Sequence, residues 1–379
     1  MEVKFRAQDL FSELALAQGI VDRKTTIPVL GHVLIEADED RLKLSVSDLD
    51  LSLRTSCQAE ISAPGSATVP LQWLHDYFRL LPPESEVSIT ASAGETVEVT
   101  LGSARSRLRG GDAKKFPELL ALPQDTASLP LGALANAIRK TMISVSADTG
   151  PYSYQGGCLL MLARNSLGMV STDGHRLSLY SEQAGLVGLS EECRFLVPRK
   201  AVLNLEKLLA VAAVPDGEEG AVDFAQDGNH IFFRSGRRLL TCQKMTAAFP
   251  EYARVLPNES EMTISREFAA DDLAATLRRV DQFAPQESHA VQFALDDGEL
   301  RVTAKTALSG ESEASVPTEY EGERFQVGFS ARSVLDFLGV CESDKVTLAL
   351  KDPESVAELS VPGLGEGKQH RYVIMPIRQ

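Results

Sequence analysis

The strongest constraint on this 379-residue chain is an internal repeat, because one order of predicted elements occurs three times. Each copy begins with a short strand, at residues 3–5, 127–129 and 262–264, followed by an amphipathic helix. An alternating block then holds two strands around a polar turn, at residues 32–54, 157–181 and 290–316. A strand leading into a second helix and a strand-rich end complete each copy. A period of about 125 residues is far longer than a solenoid unit, so it indicates duplicated domains. The predicted helices span residues 8–20, 71–80, 131–143, 199–212, 271–284 and 331–341.

Two short patterns support the three copies. Pro70, Pro198 and Gly328 each precede the second helix of a copy, at intervals of 128 and 130 residues. The tripeptide Phe-Pro-Glu occurs at residues 116 and 249, near the ends of the first two copies. Turn-forming stretches at residues 122–127 and 257–260 separate the copies. We therefore predict an α+β protein with domains at residues 1–123, 124–258 and 259–379.

Composition narrows the class of protein. The 38 Lys and Arg residues against 53 Asp and Glu give a net charge of −15, which by the usual rule speaks against nucleic-acid binding. The sequence shows neither a long apolar window nor a basic, apolar leader, so we expect a cytoplasmic protein that does not enter a membrane. Five scattered cysteines without a C-x-x-C pair predict free thiols and no zinc site.

Two segments with acidic residues are candidates for chemistry, although the common nucleotide-binding, hydrolase and metalloprotease motifs are absent. Asp48 and Asp50 could share one strand face as a metal pair, or they could begin a solvated strand. Asp173 could orient His175 for catalysis, but no nucleophile accompanies them. The alternative is a turn in which Gly174 adopts a positive φ.

Several segments resemble the bacterial DNA sliding clamps, the β subunits of DNA polymerase III. The matching segments are TDGHRL at residues 172–177, VPRK at 197–200, FPEY at 249–252, RVLP at 254–257 and YVIMPIR at 372–378. The resemblance covers the whole chain. It implies three repeated clamp domains, each with two helices packed on antiparallel sheets, in a head-to-tail homodimeric ring around duplex DNA. It also implies a non-catalytic processivity factor without a cofactor or metal.

The resemblance changes the meaning of the net charge. The six helical windows contain nine basic and eight acidic residues, so they carry +1 and the rest of the chain carries −16. Nearly neutral helices inside an acidic exterior would suit a channel that holds DNA through sequence-independent phosphate contacts. The implied DNA contacts are Lys24, Arg79, Tyr152, Tyr154, Arg199 and Lys200, and more weakly Arg139, Lys140, Arg278 and Arg279. Each basic residue could instead lie on a solvated face, and the tyrosines could be packing residues.

The resemblance also implies a cleft for short Gln- and Leu/Phe-containing peptides of the polymerase III catalytic subunit, the clamp loader and other partners. The implied residues are Gln155, Thr172, Gly174, His175, Arg176, Leu177, Pro250, Arg254, Val255, Ser355, Val356, Val373, Met375, Pro376, Ile377 and Arg378. Gln155 stands where many relatives have a larger apolar residue, and Gln379 replaces the commoner terminal leucine. The terminal apolar run could also simply dock a strand.

The implied dimer contact joins two strand edges of opposite charge. Arg105, Arg107 and Arg109 alternate on a first-domain strand, and Glu311 and Glu313 alternate on a third-domain strand. Such charges could equally serve to deter aggregation. Two other functions remain open: a hydrolase or metal enzyme using Asp48, Asp173 and His175, and a clamp paralogue that acts as a self-resistance copy against an antibiotic.

Overall fold

A computed structural model describes residues 1–22, 24–92, 96–147, 152–212, 220–308 and 310–377. The α+β prediction is confirmed, because all six predicted helices form and the paired strands of these residues run antiparallel. No helix within these ranges is both long and apolar enough to cross a membrane.

The described residues of each repeat contain two helices and eight or nine strands. The first repeat comprises β1 (Glu2–Arg6), α1 (Ala7–Ala17), β2 (His32–Asp38), β3 (Arg41–Ser47), β4 (Leu51–Gln58), β5 (Glu60–Ala63), β6 (Gly65–Pro70), α2 (Leu71–Phe78), β7 (Glu86–Ser92), β8 (Thr96–Leu101) and β9 (Ala104–Arg109). The second comprises β10 (Ala127–Pro130), α3 (Leu131–Thr141), β11 (Gly157–Ala163), β12 (Ser166–Thr172), β13 (Arg176–Gln183), β14 (Cys193–Pro198), α4 (Arg199–Ala210), β15 (Ala221–Gln226), β16 (His230–Ser235) and β17 (Arg238–Gln243). The third comprises β18 (Ile264–Ala269), α5 (Ala270–Val280), β19 (Ala290–Asp296), β20 (Glu299–Thr306), β21 (Gly310–Pro317), β22 (Phe325–Ser330), α6 (Ala331–Gly339), β23 (Lys345–Leu350), β24 (Ala357–Ser360) and β25 (Lys368–Ile374).

The helices follow directly from strands, and backbone carbonyls satisfy their first N–H groups. The Ala7 N–H donates to the Ser85 carbonyl at 2.8 Å, and the Ala270 N–H donates to the Asp344 carbonyl at 2.8 Å. At α1 and α5 these contacts take the place of side-chain caps, whereas at α6 the Ser330 hydroxyl accepts from the Ser333 N–H. One apolar stripe of each helix is then buried, as with Leu134, Ala137 and Ile138 of α3.

Two compact units make up the chain. Unit 1 contains Met1–Gly132, Val187–Ser190 and Lys200–Lys244, and unit 2 contains Ala133–Leu186, Glu191–Arg199 and Met245–Gln379. In unit 1 the strands form a five-stranded sheet, β5-β1-β7-β8-β9, and an eight-stranded sheet, β10-β15-β16-β17-β4-β3-β2-β6. In unit 2 they form an eight-stranded sheet, β14-β11-β12-β13-β25-β24-β23-β18, and a four-stranded sheet, β21-β20-β19-β22.

The eight-stranded sheets explain why the compact units differ from the repeats. In unit 1, β17 of the second repeat pairs with β4 of the first, and in unit 2, β25 of the third repeat pairs with β13 of the second. Strands of the second repeat therefore belong to both units.

Two details of the sequence prediction need correction. Each alternating block holds three strands rather than two, because a further strand (β4, β13 or β21) follows a second turn. The first strand of the third repeat begins at Ile264, where the predicted strand ended. Its alternating exposed and buried residues continue to Phe268, which joins the core of unit 2.

Candidate functional site

The TDGHRL segment forms a tight turn between β12 and β13 in unit 2. The Asp173 Oδ1 accepts hydrogen bonds from the backbone N–H groups of His175 and Arg176, both at 3.0 Å. The Thr172 hydroxyl donates to the Arg176 carbonyl at 2.7 Å, and Gly174 has a φ of +90° that suits glycine. Asp173 therefore shapes the turn, and its contacts are with backbone and with Arg176 rather than with the His175 ring.

Arg176 connects this turn to helix α6 through hydrogen bonds. Its guanidinium donates to the Asp173 carboxylate at 2.9 Å and to the Asp336 carboxylate of α6 at 2.6 Å. It also donates to the Tyr372 hydroxyl at 3.2 Å, and that hydroxyl donates to the Ser333 carbonyl. Burial raises the pKa of Tyr372, so its hydroxyl stays protonated. The Arg176 side chain thus positions the turn from the inner face of the sheet.

Asp48 forms the corresponding turn in unit 1, which corrects its assignment to a strand. Its Oδ1 accepts from the N–H groups of Asp50 and Leu51, and Leu49 has a φ of +85° where the later copy has glycine. The other carboxylate oxygen accepts from Lys200 Nζ at 2.5 Å. The described residues contain no group of three or more metal-ligating side chains, so the metal-pair interpretation gains no support.

An apolar cluster covers the outer face of the sheet beside the TDGHRL turn. Leu177 and Val373 lie directly opposite each other on β13 and β25, and both are almost fully buried. The whole cluster contains Val170, Leu177, Leu179 and Val373, packed against Leu159, Met161, Phe249, Tyr252, Leu256 and Val356. We call this surface the apolar cluster of unit 2.

The segment at residues 249–256 lies over this cluster and leaves an apolar rim. The Phe249 ring packs on Tyr154 at 5.9 Å and on Tyr252 at 6.4 Å, and the Tyr252 hydroxyl contacts Met161 Sδ at 3.1 Å. Pro250 and Val255 stay exposed, whereas the exposed Arg254 pairs with Glu251 at 2.6 Å.

The C-terminal tail borders the same region. The Met375 N–H donates to the His175 carbonyl at 2.9 Å, and the Ile377 N–H donates to the Gly328 carbonyl at 2.8 Å. Met375 is 46% exposed, while Pro376 and Ile377 are half-buried. The tail therefore docks as a continuation of β25 and still presents an apolar side chain at the rim. Arg378 and Gln379 lie outside the described residues.

Three further predicted residues border this region. Gln155 is buried, and its side-chain nitrogen lies 2.7 Å from the position that a Cβ at Gly174 would occupy. Ser355 is held by Asp352, whose carboxylate accepts from the Ser355 N–H and hydroxyl, and Val356 packs on the cluster. The structure thus brings all the predicted peptide-site residues that it describes to one region of unit 2, although Arg176 faces inward.

Several residues of the apolar cluster of unit 2 were not among the predicted site residues. Leu159, Met161 and Leu179 were not selected, although period-two alternation along β11 and β13 marks them as one face. Arg371 was also missed. Its guanidinium pairs with Glu358 at 2.5 Å and donates to the Pro257 carbonyl at 2.6 Å, which fixes the end of the covering segment.

The predicted DNA contacts differ in their solvent exposure and in whether a carboxylate already pairs with them. Lys24 and Arg79 are exposed, and the nearest carboxylate oxygen to Arg79 is 4.0 Å away on Asp76. Lys200 pairs with both Asp22 and Asp48, so its charge is locally compensated. Arg199, at the start of α4, is half-buried, and its Nε has no hydrogen-bond partner among the described residues.

The two tyrosines and the weaker candidates on α3 and α5 also include both exposed residues and residues with contacts inside the chain. Tyr152 is 58% exposed, whereas Tyr154 packs against Phe249. The weaker candidate Lys140 is wrong as a DNA contact. It is 2% exposed, lies over the Tyr180 ring and binds Glu342 at 2.9 Å. Glu342 also accepts from Arg139, whereas Arg278 and Arg279 are exposed on α5.

The predicted dimer strands both lie at sheet edges. β9 ends the five-stranded sheet of unit 1, and β21 ends the four-stranded sheet of unit 2. Within the chain, Arg107 binds Glu98 at 2.6 Å, Glu311 binds Lys305 at 3.1 Å, and Glu313 lies 3.6 Å from Arg301. Arg105 is exposed on the same face of β9 as Arg107.

The cysteines are free, as expected from their spacing. Burial raises the pKa values of Cys57, Cys158 and Cys242 to about 12, so these thiols stay protonated and unreactive at neutral pH.

Comparison with known proteins agrees with this architecture. Family models of the N-terminal, central and C-terminal domains of the DNA polymerase III beta subunit match residues 1–120, 128–251 and 253–378. The chain is 31% identical to the beta sliding clamp of Pseudomonas putida and 29% identical to that of Caulobacter vibrioides, over the full length of each.

Solved structures give the same result. A sliding clamp from Pseudomonas aeruginosa bound to griselimycin matches with a TM-score of 0.89 at 28% identity, and one from Bartonella birtlesii bound to griselimycin matches with a TM-score of 0.90 at 27% identity. Both comparisons cover all of this chain and all of the other. With its three matched domains and full-length relatives, the chain belongs to the DNA polymerase III β-subunit family of bacterial DNA sliding clamps, which are non-catalytic processivity factors.

Proposed function

We propose that this sliding clamp acts as a head-to-tail homodimeric ring around duplex DNA and recruits partners through the apolar cluster of unit 2. The proposed partners are the polymerase III catalytic subunit, the clamp loader and other proteins with a clamp-binding peptide. The proposed domain boundaries are residues 1–123, 124–258 and 259–379. The family matches end at 120 and resume at 128, which brackets the first boundary, whereas the third match begins at 253, six residues before the proposed third domain. The proposed location is the bacterial cytoplasm.

One observation carries the peptide proposal. Val255 and Met375 expose apolar side chains at the rim of a buried apolar cluster, beside polar groups of the TDGHRL turn. Apolar anchors on a rigid floor, with a few backbone and side-chain polar groups at the edge, suit a short peptide that becomes ordered on binding. The sheet register and the Arg176 contacts hold this floor in place before a ligand arrives.

A labelled peptide containing Gln, Leu and Phe tests the site in a fluorescence-polarisation titration of the full chain. We expect Val255→Glu and Met375→Glu each to weaken binding about tenfold or more, because each removes roughly 1.5–3 kcal/mol of apolar burial. Leu120→Glu is the matched control, since Leu120 is 44% exposed in the corresponding segment of unit 1. Equal affinity in all variants would remove the apolar cluster from the binding site.

The DNA proposal uses charge that the fold leaves available. Lys24 and Arg79 are exposed, and Tyr152 offers an exposed ring for packing on the backbone. Arg199 and Tyr154 are less accessible, and Lys200 would have to exchange its carboxylate partners for phosphate. We therefore expect Lys24 and Arg79 to contribute more to DNA affinity than Lys200, through screened contacts that permit sliding.

The dimer proposal joins β9 of one subunit to β21 of another. Arg105 and Arg107 would face Glu311 and Glu313, and pairing would cover two strand edges that are otherwise open. Closing two such contacts would complete the ring.

One experiment tests the ring and its contacts together. After loading by a bacterial clamp loader, the wild type should stay on nicked circular DNA during gel filtration and leave when the circle is linearised. The Arg105→Glu/Arg107→Glu variant should sediment as a monomer and show no retention. Lys43→Glu/Arg234→Glu reverses two exposed charges on other strands of unit 1 and should behave like the wild type. A dimeric Arg105→Glu/Arg107→Glu variant would place the interface elsewhere.

A further inference from the structure

In the first two repeats, the first strand has a neighbouring segment along its outer edge. In the first repeat β5 pairs antiparallel with β1, and Val3 lies opposite Ile61. In the second repeat Ser128 of β10 forms an isolated antiparallel bridge to Val187. The neighbour lies between β4 and β6 in the first repeat and between β13 and β14 in the second.

In the third repeat the corresponding segment turns elsewhere. The Thr318 N–H donates to the Gly298 carbonyl, and the Gly298 N–H donates to the Tyr320 carbonyl, both at 2.9 Å. The segment after β21 therefore pairs with the β19–β20 turn instead of with β18. As a result, β18 is the end strand of its eight-stranded sheet, with β23 as its one neighbour there.

A groove of about 780 Å³ lies in this place. Its walls come from β18 on one side and from the end of β21 and the following residues on the other. The lining residues are Ser265, Arg266, Glu267, Gly298, Pro317, Thr318, Glu319 and Lys345. We call it the β18 groove.

Two polar atoms of the β18 groove are buried without a hydrogen-bond partner among the described residues, the Arg266 Nε and the Thr318 Oγ1. The Arg266 guanidinium donates to the Ser265 carbonyl and lies 5.6 Å from the centre of the Tyr320 ring. Within the part of the chain that the structure describes, it makes no salt bridge to a carboxylate. Lys345, by contrast, pairs with Glu267 at 3.0 Å. Both atoms are therefore available to hydrogen-bond with a ligand or a water molecule in the groove.

The repeat indicates what would face Arg266. Aligning the strand–helix junctions places Phe268 with Phe5 and Arg266 with Val3. The strand residue opposite Val3 is Ile61, so an added strand would place one inward side chain opposite Arg266. An apolar pair in the first repeat is thus replaced by a guanidinium, whose complement across two strands is a carboxylate.

We propose that the β18 groove is a second peptide-binding site, in which an extended segment of a partner protein adds antiparallel to β18 and places an Asp or Glu opposite Arg266. Main-chain hydrogen bonds to the strand edge would supply affinity, and the carboxylate contact would supply specificity. This site is separate from the apolar cluster of unit 2, and its chemistry requires an acidic residue rather than an apolar anchor.

An array of alternating hexapeptides, Thr-X-Thr-X-Thr-X with X as Glu, Val or Lys, tests the proposal with the full-length dimer. We expect selection of Glu at one X position, and roughly tenfold weaker binding of the selected peptide to Arg266→Gln, because a charge-assisted hydrogen bond is lost. Arg266→Glu should shift the selection from Glu to Lys. Arg234→Gln is the matched control and should bind as the wild type does. Melting curves of the Arg266 variants check that they fold.

Hydrogen exchange locates the bound peptide. The amides of residues 264–269 that face the groove should exchange fast in the free dimer and slow down when the selected peptide is added. Failure to select any peptide, equal binding to Arg266→Gln, or loss of binding in Met375→Glu would each overturn the proposal. Slow exchange in the free dimer that becomes fast in the Arg105→Glu/Arg107→Glu monomer would instead assign the groove to a second copy of the chain.

Discussion

The outer sheet faces of the two units have the same backbone and opposite chemistry. An offset of 125 residues relates β2, β3 and β4 to β11, β12 and β13, and a Phe-Pro-Glu segment lies over each face. The apolar cluster of unit 2 has Met161, Val170 and Leu179 where unit 1 has Glu36, Ser45 and Arg54.

The covering segments are held differently as a consequence. In unit 1, Arg54 donates to the backbone carbonyl of Leu119, and a cavity of about 550 Å³ with charged walls remains. In unit 2, Tyr252 contacts Met161 through its side chain, and the floor is apolar. Duplication thus supplied two scaffolds, and the side chains of a single strand face decide which of them suits an apolar peptide anchor.

The largest effect is expected when the arginine of unit 1, Arg54, is introduced at the corresponding position of unit 2, Leu179. Leu179→Arg would bury a guanidinium among apolar side chains, because Met161 replaces Glu36, which lies near Arg54 in unit 1. Glu251, the counterpart of Glu118, is already paired with Arg254. We expect a loss of about 3–5 kcal/mol and abolished peptide binding, because an uncompensated buried charge is strongly destabilising. Calorimetric melting should show a drop of roughly 10 °C for unit 2. Leu179→Met keeps the volume and serves as the control, and equal melting of the two variants would contradict the prediction.

The inner faces of the same strand pairs also differ, in a way that pH can reveal. Arg238 of β17 pairs with buried Glu13 at 2.6 Å, whereas the corresponding residue of β25 is His370, which is 1% exposed beside Lys140. Burial, together with the Lys140 charge, lowers the pKa of His370 to about 4.

Because the folded form keeps His370 neutral, its contribution to stability is complete above pH 6.5 and is lost as the pH falls towards 4. The loss should reach at most about 3 kcal/mol. We expect the melting temperature of the wild type to fall more steeply between pH 6.5 and 4 than that of His370→Gln. Parallel pH profiles would show that His370 does not titrate in this way.

The smallest expected effect concerns the two equivalent turns. Leu49 adopts a φ of +85°, which is strained for leucine, while Gly174 adopts +90° without strain. Leu49→Gly should relieve about 1 kcal/mol of backbone strain and thereby raise the melting temperature. Gly174→Ala should lower it and displace the Gln155 side chain, whose nitrogen would lie 2.7 Å from the new Cβ. A lower melting temperature for Leu49→Gly would show that its exposed side chain contributes more than its backbone costs.

These comparisons also show how far the sequence can predict the molecule. Helix periodicity and strand alternation give the three repeats, because both reflect contacts within one element. The TDGHRL turn is predictable for the same reason, since Asp173 and Gly174 act on their own backbone.

What the sequence could not predict depends on partners far along the chain. Lys140 is buried because Glu342 lies 2.9 Å from its amine, and Lys200 is compensated because two turns of the first repeat meet α4. The missing neighbour of β18 depends on the path of a few residues after β21, which no periodicity specifies. Charge counting therefore describes the helices as a set, and it misjudges single residues.

The position of β25 also has a consequence for the order in which the chain folds. All the strands of unit 1 have been synthesised by Gln243, when more than a third of the chain is still to be made. The sheet of unit 2, however, receives a middle strand last, because β25 lies between β13 and β24 and follows every other described strand along the chain. At synthesis rates of about 5–20 residues per second, β13 waits roughly 10–40 s for that neighbour. Unit 1 can therefore assemble during translation before β25 has been made. Unit 2 closes its sheet only after β25 has been made, and its apolar strand edge is exposed to aggregation until then.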